Sequence, residues 1–246
     1  MKILVCISKT PETTAKIAFT DNNTALDPNG VQFILNPYDE WFALVRALEL
    51  KEELGGTVTV INVGPASNDV IIRKALAIGA DEAIRVDAEA TGARFVADQV
   101  ANYAKGNDYD LILTGKETID YNGSEVGSMI AELLELPFQS FARELTMEGD
   151  NVIITREIEG GTEKSKSQLP LVVSAAKGMA EQRIPNMRGI MMAKRKPLNV
   201  IPAVESSDGT KLSTYSLPAE KSSVKMIDPE NMDELVRLLK EEAKVI

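Results

Sequence analysis

The sequence between residues 57 and 86 reads Thr57-Val58-Thr59-Val60-Ile61-Asn62-Val63, then a helical segment, then Ala83-Ile84-Arg85-Val86. The two outer runs are rich in β-branched residues, which favour strands. Between them, apolar residues recur at helical spacing over residues 70–78, and Gly79 follows directly. A strand, a helix and a second strand in this order predict parallel strands joined by a right-handed crossover.

The same alternation continues in both directions along the chain. Residues 2–8 and 111–114 predict two further buried strands, the first of which contains the single cysteine, Cys6. Helical periodicities cover residues 41–48, 95–103 and 129–134, and they are followed by Gly55-Gly56, Gly106 and Pro137. Strands that alternate with helices in this way predict a doubly wound, mainly parallel α/β sheet.

The pattern changes after Pro137. Residues 139–148 and 151–158 alternate as extended chain around Gly149-Asp150, which predicts a β-hairpin extension of the sheet. Residues 169–174 are apolar enough to predict one more buried strand. We therefore assign residues 1–197 to a single α/β domain.

Residues 198–246 are predicted to form an extended C-terminal arm that ends in a helix. As far as residue 228 this segment is rich in proline, serine and charge and shows no strong period. Asp228 is the predicted N-cap of the helix, and Pro229 suits its first position. The helix has one apolar stripe, which needs a surface of this chain or of another subunit to cover it: Met232, Leu235, Val236 and Leu239.

The composition excludes several kinds of chemistry. The 246 residues include no histidine and one cysteine, so we expect no Ser-His-Asp or Cys-His pair and no metal site. Redox chemistry would therefore belong to an organic cofactor. The formal net charge of -10 argues against nucleic acid as the main partner, and no apolar run is long enough for membrane insertion. The lone cysteine and the lack of a targeting segment predict a cytoplasmic, bacterial-type protein.

Ligands of doubly wound sheets bind at the carboxyl ends of the strands, where three loops are candidates. Residues 8–13 follow the first strand. The second loop, Asn36-Pro37-Tyr38-Asp39, precedes the helix at residues 41–48. Here Asn36 is the expected N-cap, Pro37 suits the first helical position and Asp39 suits the positive end of the helix. A well-formed helix start without a ligand is the alternative interpretation of this motif.

The third loop is the strongest candidate and reads Gly115-Lys116-Glu117-Thr118-Ile119-Asp120-Tyr121-Asn122-Gly123-Ser124-Glu125-Val126. It leaves a buried strand and is expected to enter a helix near Ser124. Its backbone N–H groups can face an anion, Gly123 permits close approach, and Asp120 suits a ribose hydroxyl. Neither a Walker A motif nor Gly-x-Gly-x-x-Gly is present, so an ordinary βα loop is the alternative.

A basic segment, residues 181–197, carries five basic side chains and one acidic side chain in this acidic chain. The apolar Met187 and Ile190 stand beside Arg188. Such a pattern is typical of a docking surface, where an apolar side chain fills a pocket and the charges speed the encounter. A solvated loop followed by a basic helix start is the alternative.

A set of motifs spans nearly the whole chain: Lys9-Thr10-Pro11-Glu12-Thr13, Asn36-Pro37-Tyr38-Asp39-Glu40, Arg73-Lys74-Ala75-Leu76-Ala77-Ile78-Gly79-Ala80-Asp81, Gly115-Lys116 with Ile119-Asp120, Arg156-Glu157-Ile158-Glu159-Gly160-Gly161, Leu169-Pro170, and Ile190-Met191-Met192-Ala193-Lys194-Arg195-Lys196. With these motifs the chain resembles the β-subunit of electron-transfer flavoprotein. Two departures stand out. Glu125 occupies a position where that family usually has glutamine, and residues 121–123 lack the family's commoner acidic run.

The resemblance implies an adenine-nucleotide-binding fold in a heterodimer, whose α-subunit holds most of a redox-active FAD while this subunit holds a structural AMP. The implied AMP-binding residues are Cys6, Asn36, Pro37, Tyr38, Asp39, Val63, Gly115, Lys116, Glu117, Thr118, Ile119, Asp120, Tyr121, Asn122, Gly123, Ser124, Glu125 and Val126. Thr13 and Tyr38 would face the FAD of the α-subunit. Glu157 would lie at the subunit boundary.

The resemblance also implies partners. The basic segment, residues 181–197, would dock on acyl-CoA dehydrogenases of fatty acid β-oxidation, or on similar flavoprotein dehydrogenases, with Met187 as the apolar anchor. The docking residues would be Pro185, Asn186, Met187, Arg188 and Ile190. Electrons would then pass to a downstream quinone oxidoreductase, and the chain would be a carrier subunit without catalytic residues. Two alternatives stay open. One is an electron-bifurcating form with a second FAD in the AMP site, and the other is a stress-type adenine-nucleotide-binding protein.

Overall fold

The computed structural model describes residues 1–206, 209–220 and 224–246. The strands are β1 (Lys2–Cys6), β2 (Lys9–Pro11), β3 (Phe19–Thr20), β4 (Ala25–Leu26), β5 (Phe33–Leu35), β6 (Thr57–Val63), β7 (Glu82–Asp87), β8 (Leu111–Gly115), β9 (Phe138–Glu148), β10 (Asn151–Ile158), β11 (Gly161–Gln168), β12 (Leu171–Ala175) and β13 (Leu198–Pro202). The helices are α1 (Asp39–Leu54), α2 (Asp69–Ile78), α3 (Ala93–Lys105), α4 (Val126–Leu134), α5 (Met187–Ala193) and α6 (Met232–Arg237).

Within the described residues, nine strands form one sheet in the order β11-β10-β9-β12-β8-β1-β6-β7-β13. The seven strands from β9 to β13 in this order run parallel, which confirms the predicted doubly wound α/β sheet. From β1 the chain builds outward through β6 and β7, and then returns to the other side of β1 with β8. The topological switch point therefore lies between β1 and β8, and the crevice at their carboxyl ends is the expected ligand position.

Helices cover both faces of the sheet. On one face, α1 and α2 bury Leu44 and Leu76 against the central strands. On the other face, α3 and α4 bury Val100 and Ile130. The central strands β1, β6, β8 and β12 are buried almost throughout, as their near-continuous apolar sequences require. Gly127 allows α4 to approach the sheet, because a Cβ there would lie 2.7 Å from the Thr114 Oγ1 atom.

The helices predicted from periodicity are present, and three of them end where glycine was expected to end them. Gly55, Gly79 and Gly106 directly follow α1, α2 and α3. Gly55 has a φ of 75°, a conformation in which glycine carries no steric penalty. The helix after the third candidate loop begins at Val126, two residues later than predicted.

The hairpin forms as predicted, with β9 and β10 paired antiparallel around Gly149-Asp150. A further strand, β11, was not predicted, and it pairs antiparallel along the whole of β10. The buried strand predicted at residues 169–174 is β12, which lies between β9 and β8 in the sheet. The antiparallel strands therefore extend one end of an otherwise parallel sheet.

The first part of the C-terminal segment belongs to the sheet. β13 pairs parallel with β7 and forms the edge of the sheet, so the sheet extends five residues into the range assigned to the arm. Beyond it, Val204 N donates to Gln99 Oε1 at 2.7 Å, and Gln99 Nε2 donates back to Val204 O at 3.0 Å. The arm therefore starts from a fixed position on α3.

The C-terminal helix starts later than predicted. It begins at Met232, and the side chain of Asn231 caps it by accepting a hydrogen bond from Glu234 N at 3.3 Å. The prediction of Asp228 as N-cap is wrong, because its carboxylate closes the preceding turn by accepting from Glu230 N at 3.0 Å. A π-helical turn, Leu238–Glu242, continues the helix. Residues 207–208 and 221–223 of the predicted arm lie outside the described residues.

Candidate functional site

Two of the predicted loops meet at the switch point through the side chain of Asn36. Asn36 is fully buried, and its Nδ2 atom donates to Glu117 O at 3.1 Å while its Oδ1 atom accepts from Ile119 N at 3.1 Å. Its expected role as N-cap of α1 is wrong, since the residue preceding α1 is Tyr38 and no side chain caps the helix. Asn36 instead fixes the second candidate loop to the third.

The first turn of α1 lies directly against the end of β8. A Cβ on Gly115 would lie 2.7 Å from Glu40 Cγ and 3.0 Å from Glu40 N, so a residue with a side chain does not fit there. Tyr38 enters this turn with a φ of 65°, which is uncommon for a residue with a side chain. The site is therefore built from a close backbone approach and one strained residue.

Glu40 is a buried carboxyl that holds the start of the first candidate loop. Its two oxygens accept hydrogen bonds from Ser8 N at 2.6 Å and Ser8 Oγ at 2.7 Å. Burial raises the pKa of Glu40 to about 8, and the two bonds from Ser8 offset only part of that effect. Burial also raises the pKa of the neighbouring Asp39, which Lys116 partly counters. Negative charge at this position is therefore costly.

On the face of the sheet covered by α3 and α4, the carboxyl ends of the central strands carry mainly apolar side chains. Cys6 and Val63 lie in the buried cluster under α3 and α4, and Val126 packs against that cluster. The Thr114 hydroxyl, at the carboxyl end of β8, is buried and finds no hydrogen-bond acceptor among the described residues. Burial raises the pKa of the Cys6 thiol, so Cys6 stays neutral. Thr114 lies against the first turn of α4, since a Cβ on Gly127 would lie 2.7 Å from its Oγ1 atom.

The third candidate loop is ordered by its own polar contacts. Lys116 Nζ pairs with Glu117 Oε1 at 2.9 Å, and Ser124 Oγ donates to Glu117 Oε2 at 3.2 Å. Asn122 and Ser124 both have positive φ. The space around Gly123 is open, because a Cβ added there would lie 4.0 Å from its nearest neighbour, Glu125 Oε1. The one lysine of the loop is therefore already neutralised by its neighbour.

The C-terminal arm returns to this loop, which the sequence did not predict. The Tyr215 hydroxyl lies 2.8 Å from the Tyr121 hydroxyl, and the Tyr215 ring stacks on Phe19 with centroids 4.9 Å apart and planes at 8°. Tyr215 N also donates to Asn23 O at 2.7 Å. An aromatic residue in a segment without periodicity gives no sequence signal for such a long-range contact.

The two residues expected to face a flavin, Thr13 and Tyr38, are both exposed. Tyr38 is 51% exposed, and its ring contacts Phe42 at a centroid distance of 6.4 Å. Thr13 is exposed, and its Oγ1 atom donates to Glu12 Oε1 at 2.9 Å. Thr13 follows Pro11, which lies opposite Phe33, and Tyr38 follows Leu35, which lies opposite Lys9, so the antiparallel pairing of β2 with β5 places the two residues beyond opposite ends of this pair.

The basic segment contains a short helix with exposed apolar side chains. The side chain of Asn186 caps α5 by accepting from Gly189 N at 2.8 Å. Ile184, Met187 and Met191 are 82%, 74% and 68% exposed, and Ile190 is also exposed. Arg188, Lys194 and Arg195 are exposed around them. The segment also contacts the first turn of α1, where Trp41 Nε1 donates to Arg183 O at 3.3 Å.

Two of the basic residues in this segment bind other groups of this chain. Arg183 forms a bidentate pair with Glu52, with distances of 2.6 and 3.1 Å. Lys196 Nζ donates to Leu76 O at 3.0 Å and to Ala80 O. The predicted set of free charges around Met187 is therefore smaller than the sequence indicated, because these two cations bind this chain's own groups.

Glu157, near the far end of β10, is exposed and pairs with Arg143 of β9 across the hairpin. In the part of the chain that the structure describes, no group of acidic or cysteine residues is arranged to hold a metal ion. No helix among these residues is long and apolar enough to cross a membrane.

The fold and the site together define a doubly wound α/β protein with converging loops at its switch point and one short helix, α5, with exposed apolar side chains. Residues 24–206 match the family model described as electron transfer flavoprotein domain. The chain is 35% identical to the electron transfer flavoprotein subunit beta of Bacillus subtilis (strain 168) over 100% of both proteins. It is also 35% identical to the human subunit beta, over 100% of this chain and 99% of the human protein. The chain therefore belongs to the electron transfer flavoprotein β-subunit family.

Proposed function

We propose that this chain is the β-subunit of a heterodimeric electron carrier, which moves electrons through a FAD held mainly by an α-subunit. The donors would be acyl-CoA dehydrogenases or related flavoprotein dehydrogenases, and the acceptor a downstream quinone oxidoreductase. The observation that carries this proposal is the pair of exposed apolar surfaces, one on α5 and one on the C-terminal arm. Monomeric proteins rarely leave such surfaces in water, and a carrier subunit needs two partners.

For the nucleotide we propose AMP, bound where the loops converge. The unpartnered Thr114 hydroxyl, the first turn of α4 and the adjoining wall formed by Cys6 and Val63 fit an adenosine phosphate. The N–H groups of a first helical turn have no acceptor inside the helix, so they would hold the phosphate. Lys116 is paired with Glu117, which leaves this task to the backbone.

The side chains of the loop are mainly acidic. Glu117, Asp120 and Glu125 supply three carboxylates against the single Lys116. Each added phosphate charge near them costs electrostatic energy, while Asp120 suits the hydroxyls of a ribose. The phosphomonoester of AMP and the pyrophosphate of FAD both carry close to two negative charges at neutral pH, so the count of nucleotides in the heterodimer, rather than the charge of this loop, decides between AMP and a second FAD.

For the α-subunit we propose contact with the arm, with the exposed side of Tyr38 and Thr13, and with the hairpin near Glu157. The apolar side chains of α6 remain exposed in this chain, with Met232 and Val236 both about half-exposed. Tyr38 offers an aromatic ring at the same edge of the sheet as the nucleotide loops. A FAD held by the α-subunit would thus stand next to the converging loops without belonging to them.

Docking on the dehydrogenase is proposed to use α5, with Met187 as the anchor and with Pro185, Asn186, Arg188 and Ile190 around it. Burial of one such anchor contributes on the order of 2 kcal/mol, which corresponds to roughly thirtyfold in affinity. The exposed Arg188, Lys194 and Arg195 would raise the encounter rate with an acidic partner surface.

The test is steady-state electron transfer from an acyl-CoA dehydrogenase to the purified heterodimer. We expect Met187→Ala to raise the apparent KM for the carrier roughly thirtyfold, with the flavin spectrum and the melting temperature unchanged. Added salt should slow association of wild type and variant alike through screening. Unchanged kinetics would show that docking uses another surface, and a lower melting temperature would show that Met187 supports the fold.

A further inference from the structure

We propose that Arg73 and Lys196 form a latch that holds α5 in a fixed position on α2, so that the docking surface exists before a partner arrives. Both are positioning residues, since neither would touch the partner. The proposal rests on the proposed docking role of Met187 and adds to it the reason why the exposed side chains keep one arrangement.

The first half of the latch runs from α2 to the end of α5. Arg73 Nη1 donates to Ala193 O at 2.8 Å and to Lys196 O at 2.7 Å. Ala193 is the last residue of α5, and its carbonyl is one of those that a helix leaves without an internal donor. One guanidinium therefore fixes both the end of the docking helix and the chain that leaves it.

The second half runs in the opposite direction. Lys196, three residues beyond α5, reaches back so that its Nζ atom donates to Leu76 O at 3.0 Å and to Ala80 O. These carbonyls belong to the last turn of α2 and to the residue just past Gly79. The C-terminus of α5 thus receives a cation from α2, and the C-terminus of α2 receives one from the chain just beyond α5. A cation at this end of a helix is favourable.

The middle and the start of the segment are held as well. A Cβ on Gly189 would overlap the carbonyl oxygen of Ala77, so α5 lies on the backbone of α2 at a distance that only glycine permits. At the start, Arg183 O accepts from Trp41 Nε1 at 3.3 Å, and the guanidinium of Arg183 pairs with Glu52. Fixed points therefore lie on both sides of Met187.

This arrangement explains how a helix of seven residues serves as a docking surface. A helix this short is not stable by itself in water, so its conformation depends on the contacts with α2. A surface that is ordered in advance loses less conformational freedom when it binds. Loosening the latch should weaken docking although the exposed apolar and charged side chains are all retained.

The experiment compares heterodimer variants in electron transfer from an acyl-CoA dehydrogenase and in hydrogen exchange of the amides in residues 187–193. Arg73→Gln removes the positive charge and the guanidinium fork, and Arg73→Lys keeps the charge without the fork. Gly189→Ala forces α5 away from α2 without a change in charge. Arg94→Gln is the matched control, because Arg94 pairs with Asp98 on the exposed side of α3.

We expect Arg73→Gln and Gly189→Ala each to raise the apparent KM for the carrier roughly fivefold, with kcat, flavin spectrum and bound nucleotide unchanged, and to speed exchange in α5. Arg73→Lys should fall between wild type and Arg73→Gln, and Arg94→Gln should match wild type. Faster exchange at an unchanged KM would overturn the latch. So would a loss confined to kcat, or an equal effect of Arg94→Gln. If Arg73→Gln does not yield a heterodimer, Gly189→Ala decides by the same criteria. An unchanged KM in Met187→Ala would instead refute the docking role itself.

Discussion

Replacing Asn36 with alanine should loosen the nucleotide loop, and it should weaken AMP binding as well as destabilise the fold. Asn36 is buried, and its amide bonds to Glu117 O and Ile119 N, both at 3.1 Å. These are backbone groups of the loop that is proposed to hold the nucleotide. Without the amide, the loop must either keep two unpaired groups or move away from the site.

The magnitude follows from those two bonds. A buried backbone group left without a partner costs about 1–3 kcal/mol, and water can reach a surface loop, so we expect about 2 kcal/mol in all. For a subunit of this size that lowers the melting temperature by about 4–8 °C. The loop must also be ordered again by the ligand, so AMP affinity should fall roughly tenfold, or about 1.4 kcal/mol.

The matched control is Asn62→Ala, which deletes the same atoms elsewhere in the core. Asn62 Nδ2 donates to Ile7 O at 2.8 Å, and its Oδ1 atom accepts from Asn68 Nδ2 at 3.0 Å, so neither bond involves the loop. Melting of the heterodimer and equilibrium binding of AMP to nucleotide-depleted protein measure the two effects. Similar melting losses with an affinity loss only in Asn36→Ala would support the reasoning. An affinity loss of equal size in both variants, or none in Asn36→Ala, would refute it.

Three further predictions concern pH, charge and assembly. Because burial raises the pKa of Glu40 to about 8, above its value in the unfolded chain, the folded protein retains a proton that the unfolded chain loses as the pH rises above about 4.5. Stability should therefore fall from about pH 4.5 to pH 8, and in Glu40→Gln the melting temperature should fall less over that pH range. An equally steep decline of the melting temperature in the variant would contradict the prediction. Glu125→Gln removes a negative charge beside the proposed phosphate position and should raise AMP affinity about threefold at low salt, an effect that vanishes at high salt if it is electrostatic. A chain that ends at residue 205 keeps β13 and the Val204–Gln99 contact but lacks the rest of the arm, so it should fold and fail to retain the α-subunit; co-purification at full yield would show that the arm is not the main contact.

The parallel core of the fold could be predicted from sequence because its strands are buried on both faces and its helices end at glycines. Strands β11 and β13 lie at the two edges of the sheet, and neither has an apolar run to reveal it. β11 alternates between exposed and partly buried polar residues, and its pairing depends on β10 rather than on its own composition. Such edge strands are fixed by tertiary pairing, which local sequence does not encode.

The candidate site shows the same limit at the level of single residues. The motif that contains Asn36 marks a strand end correctly, but an asparagine before a helix suits a cap and a long-range tether equally well. Only the fold brings Glu117 and Ile119 within reach of its amide. Likewise, the basic character of the segment around Met187 is visible in the sequence, whereas the inward direction of Arg183 and Lys196 depends on carboxylate and carbonyl partners more than 100 residues away.

The most direct test of the account is the nucleotide content of the heterodimer formed with its α-subunit. The complex would be purified, denatured and filtered, and the released nucleotides identified and counted by mass spectrometry and flavin absorbance. The account predicts one FAD and one AMP for each heterodimer, and no AMP in the α-subunit purified without this chain. Two FAD molecules and no AMP would contradict it and would assign the site at the switch point to a second flavin.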